Sequence, residues 1–458
     1  MFFKLLKDDA EKKEAIDKLT KEFIKNNHIE PNLFSKYNVK RGLRNSDGTG
    51  VLAGLTLICN VHGYILDEGE KKPEEGKLVY RNYKINDIIK DCVKTKRFGF
   101  EEVIYLLLFG KLPKSENIEY FKHVLAMYRE LPDSFVEDVI LKMPSKNIMN
   151  KMQSALLALY TYDRFADITT IDQELRKAIE IIAKMSNIMI CAYYAKRKAF
   201  NKESLVLHSL NPNENIAQSI LSTLRIDRKY TFEEASMLDI MLMVHAEHGG
   251  GNNSTFTCRC LTSTGTDAYS AYAGAIGALK GPKHGGANIK VVQMIENIKE
   301  NLKDWNDLDE IENYLKKILQ KKAGDKSGLI YGMGHAVYTK SDPRALIIKK
   351  AAEKLSKGTK YEKELRLIEN IENVTSLIFL KNKSNKKIIS ANVDMYSGFV
   401  YNMLGIPLEL YTPLFATARI AGWAAHRMEE LLIAKRIIRP AYKPVNKELD
   451  YIPLKDRK

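Results

Sequence analysis

The chain has 458 residues, of which 45% are hydrophobic and 28% are charged. This length and composition provide enough apolar material for two domains with their own cores, and exclude collagen-like, low-complexity and disordered proteins. No uninterrupted apolar run reaches the roughly 18 residues that indicate a membrane-spanning helix, so none is predicted.

The formal net charge is +15, but Lys and Arg are interleaved with Asp and Glu in runs such as EKKEAIDK and KYEKELR. Such runs are typical of solvated helix faces, so nucleic-acid binding is not predicted. The five cysteines include no C-x-x-C pair. This favours a reducing, cytoplasmic location over a disulfide framework or a zinc knuckle.

Helix patterns dominate the chain from its start. An amphipathic surface helix is predicted for MFFKLLKDDAEKKEAIDKL, and the best strand candidate is KLVYRNY. A third segment, FEEVIYLLLFGKLP, predicts a helix that Gly110 and Pro113 end. A fourth, TFEEASMLDIMLMVHAEHGGG, begins with a capping box from Thr231 to Glu234, and we expect it to end at Gly249.

Three further helices are predicted in the second half of the chain. One begins near Asn306, in NDLDEIENYLKKILQKKAG, and stops at Gly324. The next, in SDPRALIIKKAAEKLSKG, has Asp342 as its N-cap, Pro343 at its first position and Gly358 as its stop. The last is the long apolar segment TPLFATARIAGWAAHRMEELLIAKR. Because strand patterns are scarce, the predicted fold class is mainly α.

A domain boundary is suggested by composition. The segment TSTGTDAYSAYAGAIGALKGPKHGGAN is rich in Ala, Gly and Ser, and the following residues 286–394 hold 21 Lys and Arg against 15 Asp and Glu. We therefore predict a first large domain over 1–285, a small domain over 286–394, and a return to the large domain with a C-terminal arm over 395–458. The basic excess of the small domain is suited to holding an anion.

Three histidines lie in glycine-rich segments, HAEHGGGNN, GPKHGGAN and YGMGHAVY. Glycine lets a backbone approach a ligand closely, so this recurrence favours function over the structural role that a lone histidine usually has. Metal binding is disfavoured, because HAEH with His245 and His248 is not the H-E-x-x-H signature. The glycine loops also match neither a P-loop nor a dinucleotide fingerprint.

Two arginines indicate an anion site. Arg344 follows Asp342 and Pro343 at a helix start, where a cation is unfavourable. It is read either as a solvent-facing arginine that tolerates this small cost or as part of an anion site together with the helix N–H groups. Arg419 lies among apolar residues in PLFATARIAGWAAH, and a buried arginine needs an anionic partner. That partner is either a protein carboxylate or a ligand. Asp394, in ANVDMYSGF, is read either as an N-cap or as a functional carboxylate.

In this order, GPKHGGAN, GMGHAVYTKSDPR, NVDMYSG and ATAR closely resemble the citrate synthase family. Upstream, HAEHGGGNNSTFT, GTGVLAGLT, KLVYRNYKINDI and FEEVIYLLLFGKLP are also similar to it, so the resemblance extends from about residue 40 to 445. It implies a two-domain helical fold with a large and a small domain around a cleft, in a homodimer. The implied activity is condensation of acetyl-CoA with oxaloacetate, followed by hydrolysis of citryl-CoA, at the entry of the tricarboxylic acid cycle.

The resemblance assigns catalytic roles to three residues. Asp394 is implied to be the base that removes a methyl proton from acetyl-CoA. His284 is implied to hydrogen-bond the thioester oxygen, and His335 to donate to the carbonyl of oxaloacetate. A carboxylate can deprotonate a thioester methyl only if the enolate is stabilised at once, which explains the need for these residue types. Burial is expected to raise the pKa of Asp394.

The substrate contacts implied by the resemblance are His248, Arg344 and Arg419 for oxaloacetate. A further arginine, Arg439 in RIIRP, is implied to reach the active site of the other subunit. Lys340 and Asn392 are the candidates for CoA binding. Thr339 stands where the family often has a basic CoA contact, and Met333 replaces a commoner aromatic or small residue. No metal or cofactor is implied, since acetyl-CoA is a substrate.

Other functions remain open at this point. 2-Methylcitrate synthase uses propionyl-CoA, and one extra methyl group changes binding by only about 1–3 kcal/mol, so the motifs do not exclude it. A helical binding protein that has kept the fold without catalysis is disfavoured, because all three catalytic residue types are present. A histidine-ligated metal hydrolase is the third alternative, which sensitivity to chelators would identify.

Overall fold

The computed structural model describes residues 2–67, 70–381, 388–433 and 436–457. Helices predominate in them, as predicted. The α-helices are α1 (Phe2–Asn26), α2 (Pro31–Lys36), α3 (Ile85–Thr95), α4 (Phe100–Phe109), α5 (Ser115–Met127), α6 (Ile148–Leu159), α7 (Ile171–Asn201), α8 (Ile216–Leu224), α9 (Phe232–His245), α10 (Asn253–Thr262), α11 (Ala268–Leu279), α12 (Ala287–Asn301), α13 (Leu308–Leu319), α14 (Pro343–Ser356), α15 (Glu362–Lys381), α16 (Val393–Met403) and α17 (Tyr411–Ile433).

A three-stranded antiparallel sheet precedes α3. Its strands are β1 (Cys59–Asp67), β2 (Glu70–Tyr80) and β3 (Tyr83–Lys84), in the order β1-β2-β3. The KLVYRNY segment forms the end of β2, a turn and the start of β3, so the predicted strand is confirmed. The partner strand β1 was not predicted, because CNVHGYILD does not alternate cleanly between apolar and polar residues.

The chain divides into two compact units, residues 1–54 and residues 55–458. The first unit holds α1 and α2, and the described side chains of α1 are exposed, as the amphipathic pattern predicts for a surface helix. The second unit contains the sheet, the other helices and the hydrophobic core. The boundaries predicted at 286 and 394 lie inside this second unit and stay a prediction.

Helix α17 lies in the core of the second unit. It packs against α4, α7, α9, α10 and α11, and its residues from Ala416 to Glu430 are all buried. Helix α7 is long and apolar enough to cross a membrane, but 89% of its most apolar window is buried inside the protein. Such burial is typical of a core helix in a globular protein.

Two helix starts and one helix end position the loops of the site. The capping box of α9 forms as predicted between Thr231 and Glu234, and Asp342 caps α14 with Pro343 at its first position. The predicted end of α9 at Gly249 is wrong, because the helix stops at His245. Carbonyl groups there bond outside the helix: the Tyr80 hydroxyl donates to Met243 O (3.0 Å). Residues 246–252 are thereby free to form a loop.

Candidate active site

Three histidines and two arginines from separate segments lie close together. The segments are the loop after α9, the turn before α12, the loop before α14, the start of α14, and α17; in that order they carry His248, His284, His335, Arg344 and Arg419. The rings of His248 and His335 are perpendicular, with centroids 5.0 Å apart. Burial and then the charges of Arg344, Arg419 and the other two histidines hold the pKa of His248 well below its usual range. The fold therefore assembles the residues that the motifs indicated.

Arg419 is fully buried and only partly hydrogen-bonded. Its Nε donates to His245 O (2.6 Å), and its guanidinium lies over the Phe415 ring, 4.7 Å from the centroid. Within the described residues, Nη1 and Nη2 have no hydrogen-bond partner. Burial lowers the pKa of Arg419, although Glu247 opposes the shift. A buried guanidinium with two unsatisfied amino groups calls for a hydrogen-bonded anion, and no carboxylate of the described residues bonds to these two groups, although the charge of Glu247 is near.

Arg344 is also buried, but its partner is internal. Its Nε and Nη2 donate to the two oxygens of Asp342, at 3.1 and 2.7 Å, and its backbone N–H donates to Asp342 Oδ1 (3.0 Å). Burial alone would lower the pKa of Arg344, but the charge and hydrogen bonds of Asp342 outweigh it and raise the pKa. Asp342 thus compensates the cost of a cation at the start of α14.

His335 is held in one tautomer by its own loop. Its Nδ1 accepts hydrogen bonds from the backbone N–H groups of Val337 (3.0 Å) and Tyr338 (3.1 Å). A nitrogen that accepts carries no proton, so the proton of the neutral ring is on Nε2. The ring stacks on Tyr338 with centroids 4.7 Å apart and planes tilted by 30°. His335 is therefore presented as a hydrogen-bond donor through Nε2.

His284 lies in the turn before α12 and is also neutral near pH 7. Its Nε2 is 3.1 Å from both Asn252 Oδ1 and Ser254 Oγ. Burial, reinforced by the charge of Arg419, lowers the pKa of His284 to about 4. A neutral imidazole fixed through Nε2 can donate or accept a hydrogen bond without carrying a charge.

Asp394 is the second residue of α16. The side chain of Asn392 caps this helix by accepting the Asp394 N–H (2.9 Å), so Asn392 and not Asp394 is the N-cap. Burial raises the pKa of Asp394 to about 6; Arg344 opposes the shift and Asp342 adds to it. A carboxylate whose pKa approaches neutrality is a stronger base than an ordinary aspartate while remaining ionised at pH 7.

The other predicted binding residues have different surroundings. Both polar groups of the Asn392 side chain bond within the protein, since its Nδ2 also donates to Gly334 O (2.9 Å). Lys340 is exposed, and so is Arg439, which lies in the irregular segment after α17. Within the described residues, no cluster of three or more His, Cys, Asp or Glu side chains is arranged to hold a metal ion.

Sequence reasoning missed two members of the site. Tyr338 is buried against the rings of both His248 and His335, and the Arg344 guanidinium lies 5.7 Å from its ring centroid. The other is His245, for which the sequence pattern suggests only metal binding. In the structure its ring packs on the Phe415 ring, with centroids 4.6 Å apart. The signal for Tyr338 was its place inside the GMGHAVYTKSDPR motif itself.

Buried polar atoms without partners are concentrated here. Within the described residues, they include Nδ1 and Nε2 of His245, Oε2 of Glu247, Nε2 of His248, Oη of Tyr338, and Nη1 and Nη2 of Arg419, whose four N–H groups make donors the larger set. An unsatisfied buried polar group costs about 1–3 kcal/mol, and more when it is charged, so such a concentration is typical of a ligand site. The surplus of donors over acceptors favours an anionic ligand.

The fold and the site define a mainly helical enzyme that combines a buried anion site with neutral histidines and an aspartate, Asp394, whose pKa is raised. The family model "Citrate synthase, C-terminal domain" matches residues 46–441. The chain therefore belongs to the citrate synthase family, and is an acyltransferase.

Similar proteins cover nearly the whole chain. A citrate synthase of Haloferax volcanii is 33% identical over 436 residues, which are 92% of this chain and 99% of that protein. A 2-methylcitrate synthase 1 of Corynebacterium glutamicum is 31% identical over 434 residues, 92% of this chain and 100% of that protein.

Solved structures agree with the fold. The crystal structure of citrate synthase from Thermotoga maritima has a TM-score of 0.71 at 29% identity, covering 92% of this chain and 99% of that one. The ternary complex of citrate synthase from Thermoplasma acidophilum with carboxymethyl coenzyme A and oxaloacetate has a TM-score of 0.72 at 27% identity, with the same coverage. The predicted mainly helical citrate synthase fold is confirmed.

Proposed function

We propose that this enzyme condenses acetyl-CoA with oxaloacetate and hydrolyses citryl-CoA to citrate and CoA. The observation that supports this most directly is the arrangement of two buried arginines next to a basic aspartate. Oxaloacetate is a dianion, and the unpaired amino groups of Arg419 suit one of its carboxylates. Arg344 and His248 suit contacts to the rest of the molecule. The reaction needs only acid–base and electrostatic catalysis, so no cofactor or metal is proposed.

In the first step Asp394 takes a proton from the methyl group of acetyl-CoA. The raised pKa, about 6, makes its carboxylate better matched to this weak carbon acid than an ordinary aspartate. For His284 to donate a hydrogen bond to the thioester oxygen, on which negative charge develops, its Nε2 accepts from the Ser254 hydroxyl (3.1 Å), which leaves the proton on Nδ1. Because His284 is neutral, it stabilises the enolate as a donor without a formal charge.

In the second step the enol carbon attacks the ketone carbon of oxaloacetate, and a carbon–carbon bond forms. The ketone oxygen gains a proton from His335 Nε2, the nitrogen that carries it when Nδ1 accepts from the backbone. His335 then regains a proton and Asp394 releases the one taken from the methyl group, so the two transfers balance. Arg344 and Arg419 hold the substrate carboxylates during the attack. Water then cleaves the thioester of citryl-CoA and releases the CoA thiol.

The acyl-CoA preference is tested by measuring thiol release. The protein is given acetyl-CoA or propionyl-CoA, each with and without oxaloacetate. We expect oxaloacetate-dependent release with a higher kcat/KM for acetyl-CoA. A preference for propionyl-CoA would establish 2-methylcitrate synthase, which the Corynebacterium glutamicum relative makes a specific second candidate. No release with either thioester would contradict the proposal. Chelator treatment should leave the rate unchanged.

We further propose a cytoplasmic homodimer in which each active site takes Arg439 from the partner subunit. The exposed position of Arg439, in an irregular segment after α17, leaves its guanidinium available to another chain. Arg439→Ala and Asp394→Asn, each inactive alone, are mixed under conditions that exchange subunits. Return of activity supports the shared site, because one site of the heterodimer then carries neither lesion. Activity no higher than that of the parents contradicts it.

Lys340 remains the proposed contact for a CoA phosphate, since its ammonium group is exposed. Asn392 is more suited to an indirect role, because both polar groups of its side chain already bond to backbone atoms of the site. Lys340→Ala should raise the KM for acetyl-CoA without changing oxaloacetate binding.

A further inference from the structure

The hairpin of β1 and β2 has a gap in its ladder. Residues pair regularly from Cys59↔Tyr80 to His62↔Lys77, and pairing resumes at Tyr64↔Pro73. Gly63 on β1 and residues 74–76 on β2 are left out of the register. Such bulges bend a strand and are often found next to active sites. We call Gly63 and residues 74–76 the hairpin notch.

The loop before α14 packs into this notch and is hydrogen-bonded to it through Thr339 and Ser341. The Thr339 hydroxyl donates to Gly63 O and approaches Glu74 O (3.2 Å). The N–H of Gly76 donates to Ser341 Oγ (3.2 Å), and the Ser341 hydroxyl in turn donates to the Glu75 carboxylate. Polar groups left unpaired by the bulge are therefore used to hold the loop.

The two glycines of the notch have no room for a side chain. A Cβ atom on Gly63 would lie 2.7 Å from Tyr338 Cα and 2.8 Å from Val337 O. A Cβ atom on Gly76 would lie 2.1 Å from Ser341 O and 2.8 Å from Pro343 Cδ. These neighbours are mainly backbone atoms, which cannot rotate away, so a methyl group would displace the loop. Glycine within a strand often marks such a close backbone approach.

Each glycine supports a different part of the site. Gly63 abuts Val337 and Tyr338, whose N–H groups fix the tautomer of His335. Gly76 abuts Ser341 and Pro343, which flank Asp342, the residue that caps α14 and pairs with Arg344.

We propose that Gly63 and Gly76 are positioning residues, through which the hairpin notch sets His335 and Arg344 respectively. The proposal rests on the proposed function, because the roles of His335 and Arg344 come from it. Neither glycine touches the reacting atoms. A displacement of about 1 Å in a catalytic group can lower a rate by about 100-fold. A side chain on Gly63 or Gly76 that pushes the loop before α14 by this amount is therefore enough to lower the rate or weaken binding.

The test measures kcat and the KM for oxaloacetate in two variants. Gly63→Ala should lower kcat by about 100-fold and change the KM by less than about threefold, because it disturbs the donor to the ketone. Gly76→Ala should raise the KM, and the Kd of oxaloacetate measured by calorimetry, by about tenfold or more, because it disturbs Arg344. Gly54→Ala is the matched control, since no atom of the described residues lies within 4 Å of that Cβ position.

Different losses in the two variants support the proposal. Equal losses of kcat and affinity in both, or wild-type values in both, would overturn it. If either variant fails to fold, Thr339→Val and Thr339→Ser replace it. Valine keeps the shape but loses the bond to Gly63 O, so kcat should fall, and serine should restore it. A Thr339→Val enzyme with unchanged kcat contradicts the proposal.

A failure of the proposed function can be distinguished from a failure of the positioning proposal by the thiol release of the wild-type protein. If the wild-type protein releases no thiol from either acyl-CoA, the reaction is wrong. The oxaloacetate Kd of Gly76→Ala compared with Gly54→Ala then still tests the notch. An unchanged Kd in that comparison would overturn the positioning role of Gly76 whatever the reaction is.

Discussion

Arg344 and Arg419 are both buried at the same site, yet the surroundings of their guanidinium groups differ. In the helix-cap region, residues 342–344 and 392–394, Asp342 satisfies Arg344 and also accepts the N–H of Val393 (3.2 Å). In the histidine–arginine region, residues 245–248 with Arg419, polar atoms of four side chains have no hydrogen-bond partner among the described residues: His245, Glu247, His248 and Arg419.

The difference indicates which part of the site is complete before substrate arrives. The helix-cap region is internally neutralised, so its geometry is set by folding. The histidine–arginine region keeps unsatisfied donors, whose cost lowers the stability of the free protein and is recovered when an anion binds. A site of this kind combines a fixed catalytic base with a strong, specific anion contact.

The largest effect is expected in the helix-cap region. Asp394→Asn keeps the shape but removes the base, so kcat should fall by about 1,000-fold or more. Oxaloacetate affinity, which depends on the arginines, should stay near the wild-type value by calorimetry. An Asp394→Asn enzyme that keeps most of its turnover would show that another group is the base.

Arg419→Met tests the histidine–arginine region. Loss of the two unpaired amino groups should weaken oxaloacetate binding by about 100-fold or more, measured by calorimetry. The unfolding free energy should be unchanged or higher, because methionine removes a buried charge whose two amino groups have no hydrogen-bond partner among the described residues.

Arg427→Met is the matched control in the same helix. Arg427 is equally buried, but its Nε donates to Glu174 Oε2 (2.7 Å) and its Nη2 to Thr266 O (2.8 Å). Its loss should lower the unfolding free energy by about 1–3 kcal/mol, because Glu174 Oε2 and Thr266 O lose their donor, although Glu174 keeps its ion pair with Lys177 (Nζ to Oε1, 2.7 Å). Equal destabilisation by the two substitutions would contradict the contrast between paired and unpaired arginines.

Arg344→Met should act on both properties. Besides weakening oxaloacetate binding, it leaves the Asp342 carboxylate buried without its cation and should lower the unfolding free energy by about 3–5 kcal/mol. Adding Asp342→Asn should recover part of that stability, because the amide oxygen can still cap α14. Urea unfolding of the single and double variants measures this. An Arg344→Met protein with an unchanged unfolding free energy would show that the Arg344–Asp342 ion pair contributes little to stability.

The smallest effect is a pH dependence. Burial raises the pKa of Asp394 to about 6, and the base works only when it is deprotonated. Therefore kcat/KM should fall as the pH decreases through about 6, by about tenfold per pH unit below it. His284, with a pKa of about 4, does not become charged in that range. A rate that is constant down to about pH 4.5 would contradict the shifted pKa.

Much of the fold could be predicted because its signals are local. The capping box at Thr231 and the Asp342–Pro343 start of α14 depend on a few adjacent residues, and both are confirmed. The end of α9 could not be predicted, since it depends on Tyr80 and Arg419, which are distant in sequence. Strand β1 was missed for a similar reason, because its bulge at Gly63 is explained only by the loop seated on it.

The site could be predicted as a set of residue types but not as a set of interactions. The sequence left the partner of each arginine open between a protein carboxylate and a ligand. Only the structure distinguishes Arg344, which pairs with Asp342, from Arg419, which has no carboxylate partner among the described residues. Likewise, Asn392 was predicted from the motif as a CoA contact, whereas its capping of α16 depends on the folded backbone.

A crystal structure with oxaloacetate tests the central contrast most directly. We predict that a substrate carboxylate lies about 2.7–3.2 Å from Nη1 and Nη2 of Arg419, with the Arg344–Asp342 pair unchanged. An oxaloacetate molecule that leaves both amino groups of Arg419 without an oxygen neighbour, or that separates Arg344 from Asp342, would contradict it.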